Sequence, residues 1–173
     1  ILRGTRYSCM ELGHIPLVPE GPRCGCGKRG CLEAVASRLA ISSAAAAAAY
    51  RGDAPYLLAQ AGMDLANIRS GVLRASVEAG DKAVEMILRD AARWLGVGIG
   101  SVINLLLPDV VVLGGGLVEE MPALFLGEIE KRARSTVMPA FKNVFEVKVA
   151  QLGDDAAVLG AAAWAKRVLQ KGG

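Results

Sequence analysis

The chain has 173 residues, 53% of them hydrophobic and 21% charged, which suits one compact domain or two very small ones and excludes a disordered chain. Twenty basic against seventeen acidic side chains leave a formal charge of +3, too small and too scattered to make nucleic acid the main partner. Aromatics at 5% argue against a base-stacking platform, while 21 glycines point to tight turns and close packing in an α/β protein.

The sequence opens without Met, and Ile1-Leu2-Arg3-Gly4 reads as the tail of a strand entering a turn, which suggests a segment of a longer chain. Residues 1–33 are turn-rich, punctuated by glycines and prolines from Gly13 to Gly30, with short extended pieces around His14–Val18. So little apolar mass needs another tie. Leu32–Tyr50 has the pattern of one Ala-rich helix ended by Arg51-Gly52, its run Ala44–Ala49 packed closely on a neighbour. Asp53 stands where it would cap a short helix near Ala54–Ala61. A further helix is expected over Ile68–Ala79. Asp81 is expected to cap a long helix over Lys82–Asn104, in which Ala83, Met86, Ile87, Ala91 and Leu95 recur at helical spacing. Gly96, Gly98 and Gly100 allow close approach of another helix.

After the turn Pro108-Asp109, the β-branched run Val110–Leu113 predicts a buried parallel strand. Gly114-Gly115-Gly116 leads to a helix over Ala123–Ser135. Val144–Ala150 predicts a second strand, and Asp154-Asp155 a cap for a final helix reaching about Leu169. The order β-α-β-α implies a parallel strand pair. No apolar run has membrane-spanning length: glycines, Ser101 and Asn104 interrupt Val97–Leu107, and Pro108 stops it. The N-terminus lacks a charged-then-apolar signal pattern.

The sharpest chemical signal is His14-x9-Cys24-x-Cys26-x4-Cys31. One imidazole and three thiolates form a closed tetrahedral set for zinc, and thiolates disfavour magnesium and calcium. With all four positions filled by protein, no place remains for an activated water, so such an ion is structural. Gly25, Gly27 and Gly30 let the backbone fold tightly around it, knuckle-fashion. The competing reading is of buried thiols and a lone histidine. Cys9 falls outside the spacing. Gly25-Cys26-Gly27-Lys28-Arg29-Gly30 is formally G-x-G-x-x-G, but Pro19, Pro22 and two thiols stand where a dinucleotide site needs a strand. Arg23, Lys28 and Arg29 do not make a nucleic-acid finger, since no second ligand cluster or recognition helix accompanies them. Lys166, Arg167 and Lys171 read as a solvated helix end.

Glu11-Leu12-Gly13-His14 followed by Cys24-Gly25-Cys26-Gly27-Lys28-Arg29-Gly30-Cys31-Leu32-Glu33 resembles the ROK family of repressors and sugar kinases, whose hallmark is E-x-G-H and then C-x-C-G-x-x-G-C-x-E. Pro108–Gly116 resembles the family's C-terminal nucleotide segment and Gly153–Ala162 its last helix. The resemblance implies an actin-like, ribonuclease H-like α/β fold and places residues 1–173 on its C-terminal lobe. Within that lobe, 1–33 would be the zinc- and sugar-binding segment, 34–107 the helical part and 108–173 the nucleotide side. The N-terminal lobe would be absent, and with it the D-x-G-G-T phosphate motif and the Asn-Asp pair that holds the catalytic base. Neither motif occurs in this sequence.

The resemblance further implies ATP-dependent phosphorylation of the 6-hydroxyl of a hexose or N-acetylhexosamine. ATP would carry Mg2+, Zn2+ would be structural, and the protein would be a cytoplasmic homodimer. Glu11, His14 and Glu33 would face the sugar, since carboxylates can accept two hydroxyl donors each in charge-assisted bonds. Taken alone, both glutamates also fit solvated surface positions, and Glu33 fits a helix N-terminus. Gly114, Gly115 and Gly116 would serve the nucleotide, or form an ordinary tight turn. Gly4-Thr5-Arg6-Tyr7-Ser8-Cys9-Met10 departs from the glycine-rich stretch usual before E-x-G-H. It is more similar to the N-acetylmannosamine kinases of the family. A sugar-responsive repressor is the alternative, its helix-turn-helix lying outside this sequence; nucleic acid would then be a partner.

Overall fold

The computed structural model describes residues 9–171, for Lys171 the backbone alone. The expectations for Ile1–Gly4, for the stretch before Cys9 and for the Lys171 side chain lie outside the described residues. Eight α-helices and two strands are found among the described residues: α1 (Leu32–Ala36), α2 (Arg38–Tyr50), α3 (Pro55–Ala61), α4 (Ser70–Glu78), α5 (Lys82–Leu106), β1 (Val110–Leu113), α6 (Gly116–Glu120), α7 (Pro122–Thr136), β2 (Glu146–Val149) and α8 (Ala156–Lys171).

The single helix expected over Leu32–Tyr50 is two. Ser37 adopts an extended backbone (ψ 160°), and its hydroxyl accepts from the Ala40 N–H at 3.2 Å, so it ends α1 and caps α2. The polyalanine run behaves as its composition suggests: Ala45, Ala48 and Ala49 are fully buried in the core.

The aspartate caps expected at Asp53 and Asp81 are not formed. Asp53 sits outside α3, in an exposed ion pair with Arg51 at 3.0 Å, and the cap position belongs to Ala54 ahead of Pro55. Asp81 occupies the cap position of α5 but does not cap that helix. Its buried carboxylate accepts from Leu57 N–H (2.9 Å), Tyr56 N–H (3.3 Å) and Ser76 Oγ (2.7 Å). It therefore closes the open N–H groups of α3 from a distance and joins α3, α4 and α5.

The long helix α5 is the spine. On one side Gly96 and Gly100 meet α7 so closely that a methyl at Gly96 would lie 2.6 Å from Arg132 Cβ, and one at Gly100 2.7 Å from Thr136 Cβ. Between them Gly98 faces the first segment, where a methyl would meet Leu32 Cδ2 at 2.9 Å. Alternate small residues thus let α5 contact two different layers. The helix ends at Leu107, which takes the left-handed conformation (φ 43°) ahead of Pro108.

The strands pair in parallel as expected, Val110 beside Glu146 through Leu113 beside Val149. The expectation of a strand buried on both faces is not met. Val111 and Leu113 pack on the core, whereas Val110 and Val112 are exposed. In this two-stranded sheet the helices cover one face alone. The last helix begins after a 3-10 turn, Gly153–Asp155, that contains Asp154 and Asp155. Along its length α8 is exposed, Val158, Leu159, Val168 and Leu169 included.

Candidate functional site

The first segment folds without regular secondary structure of any length. Glu11 precedes a 3-10 turn, Leu12–His14, in which the His14 N–H donates to Glu11 O at 3.0 Å. Two isolated antiparallel bridges, Pro16 with Cys31 and Arg23 with Arg29, bring the ends of the segment together. Gly30 is fixed by geometry: its φ is +74°, and a Cβ there would fall 1.8 Å from Val18 O. At that contact its own carbonyl accepts from the N–H groups of Leu17 (2.8 Å) and Val18 (3.0 Å). The Cys24–Lys28 turn closes with Cys24 N–H to Lys28 O at 2.8 Å, aided by Gly27 at φ +88°.

This folding gathers the ligand atoms of His14, Cys24, Cys26 and Cys31 within 4.8 Å of one another. Cys26 Sγ lies 3.7 Å from Cys31 Sγ, and Cys24 Sγ lies 3.6 Å from His14 Nδ1. A tetrahedral ion with Zn–S bonds near 2.3 Å demands ligand separations of about 3.8 Å, so the donor set fits zinc. His14 would bind through Nδ1, leaving Nε2 available to another group. Cys24 and Cys31 are buried and Cys26 is exposed. Donation from the Lys28 backbone N–H holds the Cys26 thiol below its ordinary range, and burial pushes Cys31 up to about 11. Such a pairing of one acidified and one reluctant thiol is resolved when a cation takes both as thiolates. Cys9 is not among the four donors.

The structure brings Glu33 to the same place. As the second residue of α1, it lies with Oε1 3.7 Å from Cys24 Sγ. Its other oxygen is 3.6 Å from where a Gly13 Cβ would be. Glu33 thus stands over the turn that carries Glu11 and His14, and it is exposed, as is Glu11. The large cavity beside the cluster, about 580 Å3, takes in Glu33, Cys24, Trp94 and the first turns of α2, but neither Glu11 nor His14. Gly114, Gly115 and Gly116 lie apart, between β1 and α6. They line a cavity of about 230 Å3 with Arg38 and Ser70. Those two residues carried no signal in the sequence, because α2 and α4 reach the glycines only through tertiary packing.

A family model described as "ROK family" matches residues 1–168. The chain belongs to the ROK family. A glucokinase of Thermotoga maritima is 34% identical over 164 residues, covering 94% of this chain and 50% of that protein. The transcriptional regulator NagC of Escherichia coli is 30% identical over 172 residues, covering 99% of this chain and 40% of that one. A ROK glucokinase from Streptomyces griseus, solved with glucose and AMPPNP, superposes with a TM-score of 0.81 at 32% identity. That match covers 96% of this chain and 54% of the glucokinase. The fold is that of the ROK sugar kinases, of the actin-like ATPase class. The chain spans about half the length of the relatives it matches. Among the described residues no helix is long and apolar enough to cross a membrane.

Proposed function

We propose that the chain is the C-terminal portion of an ATP-dependent hexose or N-acetylhexosamine 6-kinase. The observation that carries this reading is the likeness to a ROK glucokinase solved with glucose and AMPPNP. In this reading Glu11, His14 and Glu33 hold the sugar ring. Their carboxylates accept hydroxyl donors, and an epimer that misplaces one hydroxyl leaves a charged acceptor unpaired. His14, Cys24, Cys26 and Cys31 hold Zn2+, which ties the segment together and fixes His14. Gly114–Gly116 receive the nucleotide, with Mg2+ brought by ATP. The base that takes the 6-hydroxyl proton comes from the other half of the protein. The exposed apolar side chains of α8 suit a helix whose partner lies in that half. A cytoplasmic homodimer belongs to the same reading.

A sugar-responsive repressor is the second reading, favoured by the match to NagC over 99% of this chain and 40% of that protein. The two differ in the nucleotide. Titration calorimetry with glucose, N-acetylglucosamine and N-acetylmannosamine, each with and without ADP, separates them. The kinase reading expects binding of one sugar and of ADP, with sugar binding lost in Glu33→Gln. Sugar binding without ADP binding favours the repressor. Binding of neither contradicts both.

A further inference from the structure

The small cavity at Gly114–Gly116 contains two polar side chains that the motif does not supply. Ser70 is only 9% exposed and lines the cavity. It stands against the glycine loop, so that a Cβ on Gly116 would come within 3.1 Å of Ser70 Oγ. A hydroxyl on a cavity wall can exchange water for a ligand atom as its hydrogen-bond partner. Arg38 is the opposite: exposed, at the first turn of α2, its Nη2 donating to Ile68 O at a long 3.3 Å. The remaining walls are apolar, among them Leu95, Leu117 and Phe125.

These features sort by depth. The interior offers apolar faces and one neutral group that both donates and accepts, which matches a nucleoside. At about 230 Å3 it is below the ordinary range for a whole ligand and holds one moiety. The mouth offers a guanidinium, which matches phosphate. The opposite side of the loop is closed to anions, because the Gly115 N–H already donates to the carboxylate of Glu119 at 3.4 Å. We infer that Ser70 contacts the nucleoside of a bound nucleotide and Arg38 its phosphates, an assignment that rests on the nucleotide reading above.

The test is equilibrium binding of adenosine and of ADP to the full chain and to Ser70→Ala, Arg38→Ala and Arg38→Lys, followed by ligand-observed NMR. Ser70→Ala should weaken both ligands alike, by about 2- to 10-fold, the range of one neutral hydrogen bond. Arg38→Ala should weaken ADP by about tenfold or more and leave adenosine unchanged, and Arg38→Lys should restore part of the loss. Ser70→Ala removes a single oxygen at the cavity wall, and Arg38 is exposed, so melting temperatures should stay close to the wild-type value. Wild-type binding that the substitutions leave untouched would overturn the two assignments while sparing the nucleotide site. Equal loss of adenosine and ADP in Arg38→Ala would overturn the phosphate role. A wild-type chain that binds neither ligand would overturn the inference and the nucleotide reading together.

Discussion

Replacing Asp81 by Ala should be among the most damaging single changes outside the cysteine cluster. The carboxylate is 5% exposed and receives three hydrogen bonds, from Ser76 Oγ at 2.7 Å, Leu57 N–H at 2.9 Å and Tyr56 N–H at 3.3 Å. Alanine leaves the Tyr56 and Leu57 N–H groups unpaired at the first turn of α3, which has no side-chain cap of its own, and strands the Ser76 hydroxyl in α4. Two well-buried donors at about 1–3 kcal/mol each give a total loss of about 2–6 kcal/mol. For a chain of this size that is a fall in Tm of about 10 °C. Asp53 supplies the control, since from the sequence it is the natural cap for α3. In the structure it is an exposed partner of Arg51, and Asp53→Ala should cost about 0.5 kcal/mol or less. Urea unfolding of both variants at constant slope measures the difference. Equal costs, or an Asp81→Ala loss below about 1 kcal/mol, would refute the claim that Asp81 joins α3 to α4 and α5.

Three other predictions concern the backbone and the cluster. Gly96→Ala and Gly100→Ala gain helix propensity yet push a methyl into α7, so each should destabilise by about 1–3 kcal/mol in denaturant titration. Leu107→Gly removes a side chain from a left-handed position and should be neutral or stabilise by up to about 1 kcal/mol, read from the same titration. Cys26→Ser should lower thermal stability and sugar binding together. Differential scanning fluorimetry with and without a chelator, alongside calorimetry, checks that coupling.

The donor cluster was legible because His14, Cys24, Cys26 and Cys31 lie close in sequence and their chemistry admits few uses. The α5–α7 seam was legible for a similar reason: glycines four apart in a helix have no propensity motive and so signal a close neighbour. What stayed hidden depends on long-range packing. Asp81 looked like a local cap, since nothing nearby in sequence indicates that α3 approaches its carboxylate. Ser37 was lost within an alanine-rich run whose helical pattern continues on both sides, although serine followed by unpaired N–H groups is an ordinary helix start. Val110–Leu113 read as doubly buried from its composition, whereas which face is covered depends on how many layers surround the strand. Ser70 and Arg38 join the glycine loop only after three elements have packed.

In the proposed reading, zinc on His14, Cys24, Cys26 and Cys31 holds the first segment. Metal analysis of the chain purified without chelator tests it most directly, paired with cobalt substitution. One zinc per chain is expected, with a cobalt form that shows the visible bands of tetrahedral thiolate coordination, and loss of both in Cys31→Ser. A chain that carries no zinc, and melts at the same temperature before and after chelation, would contradict it.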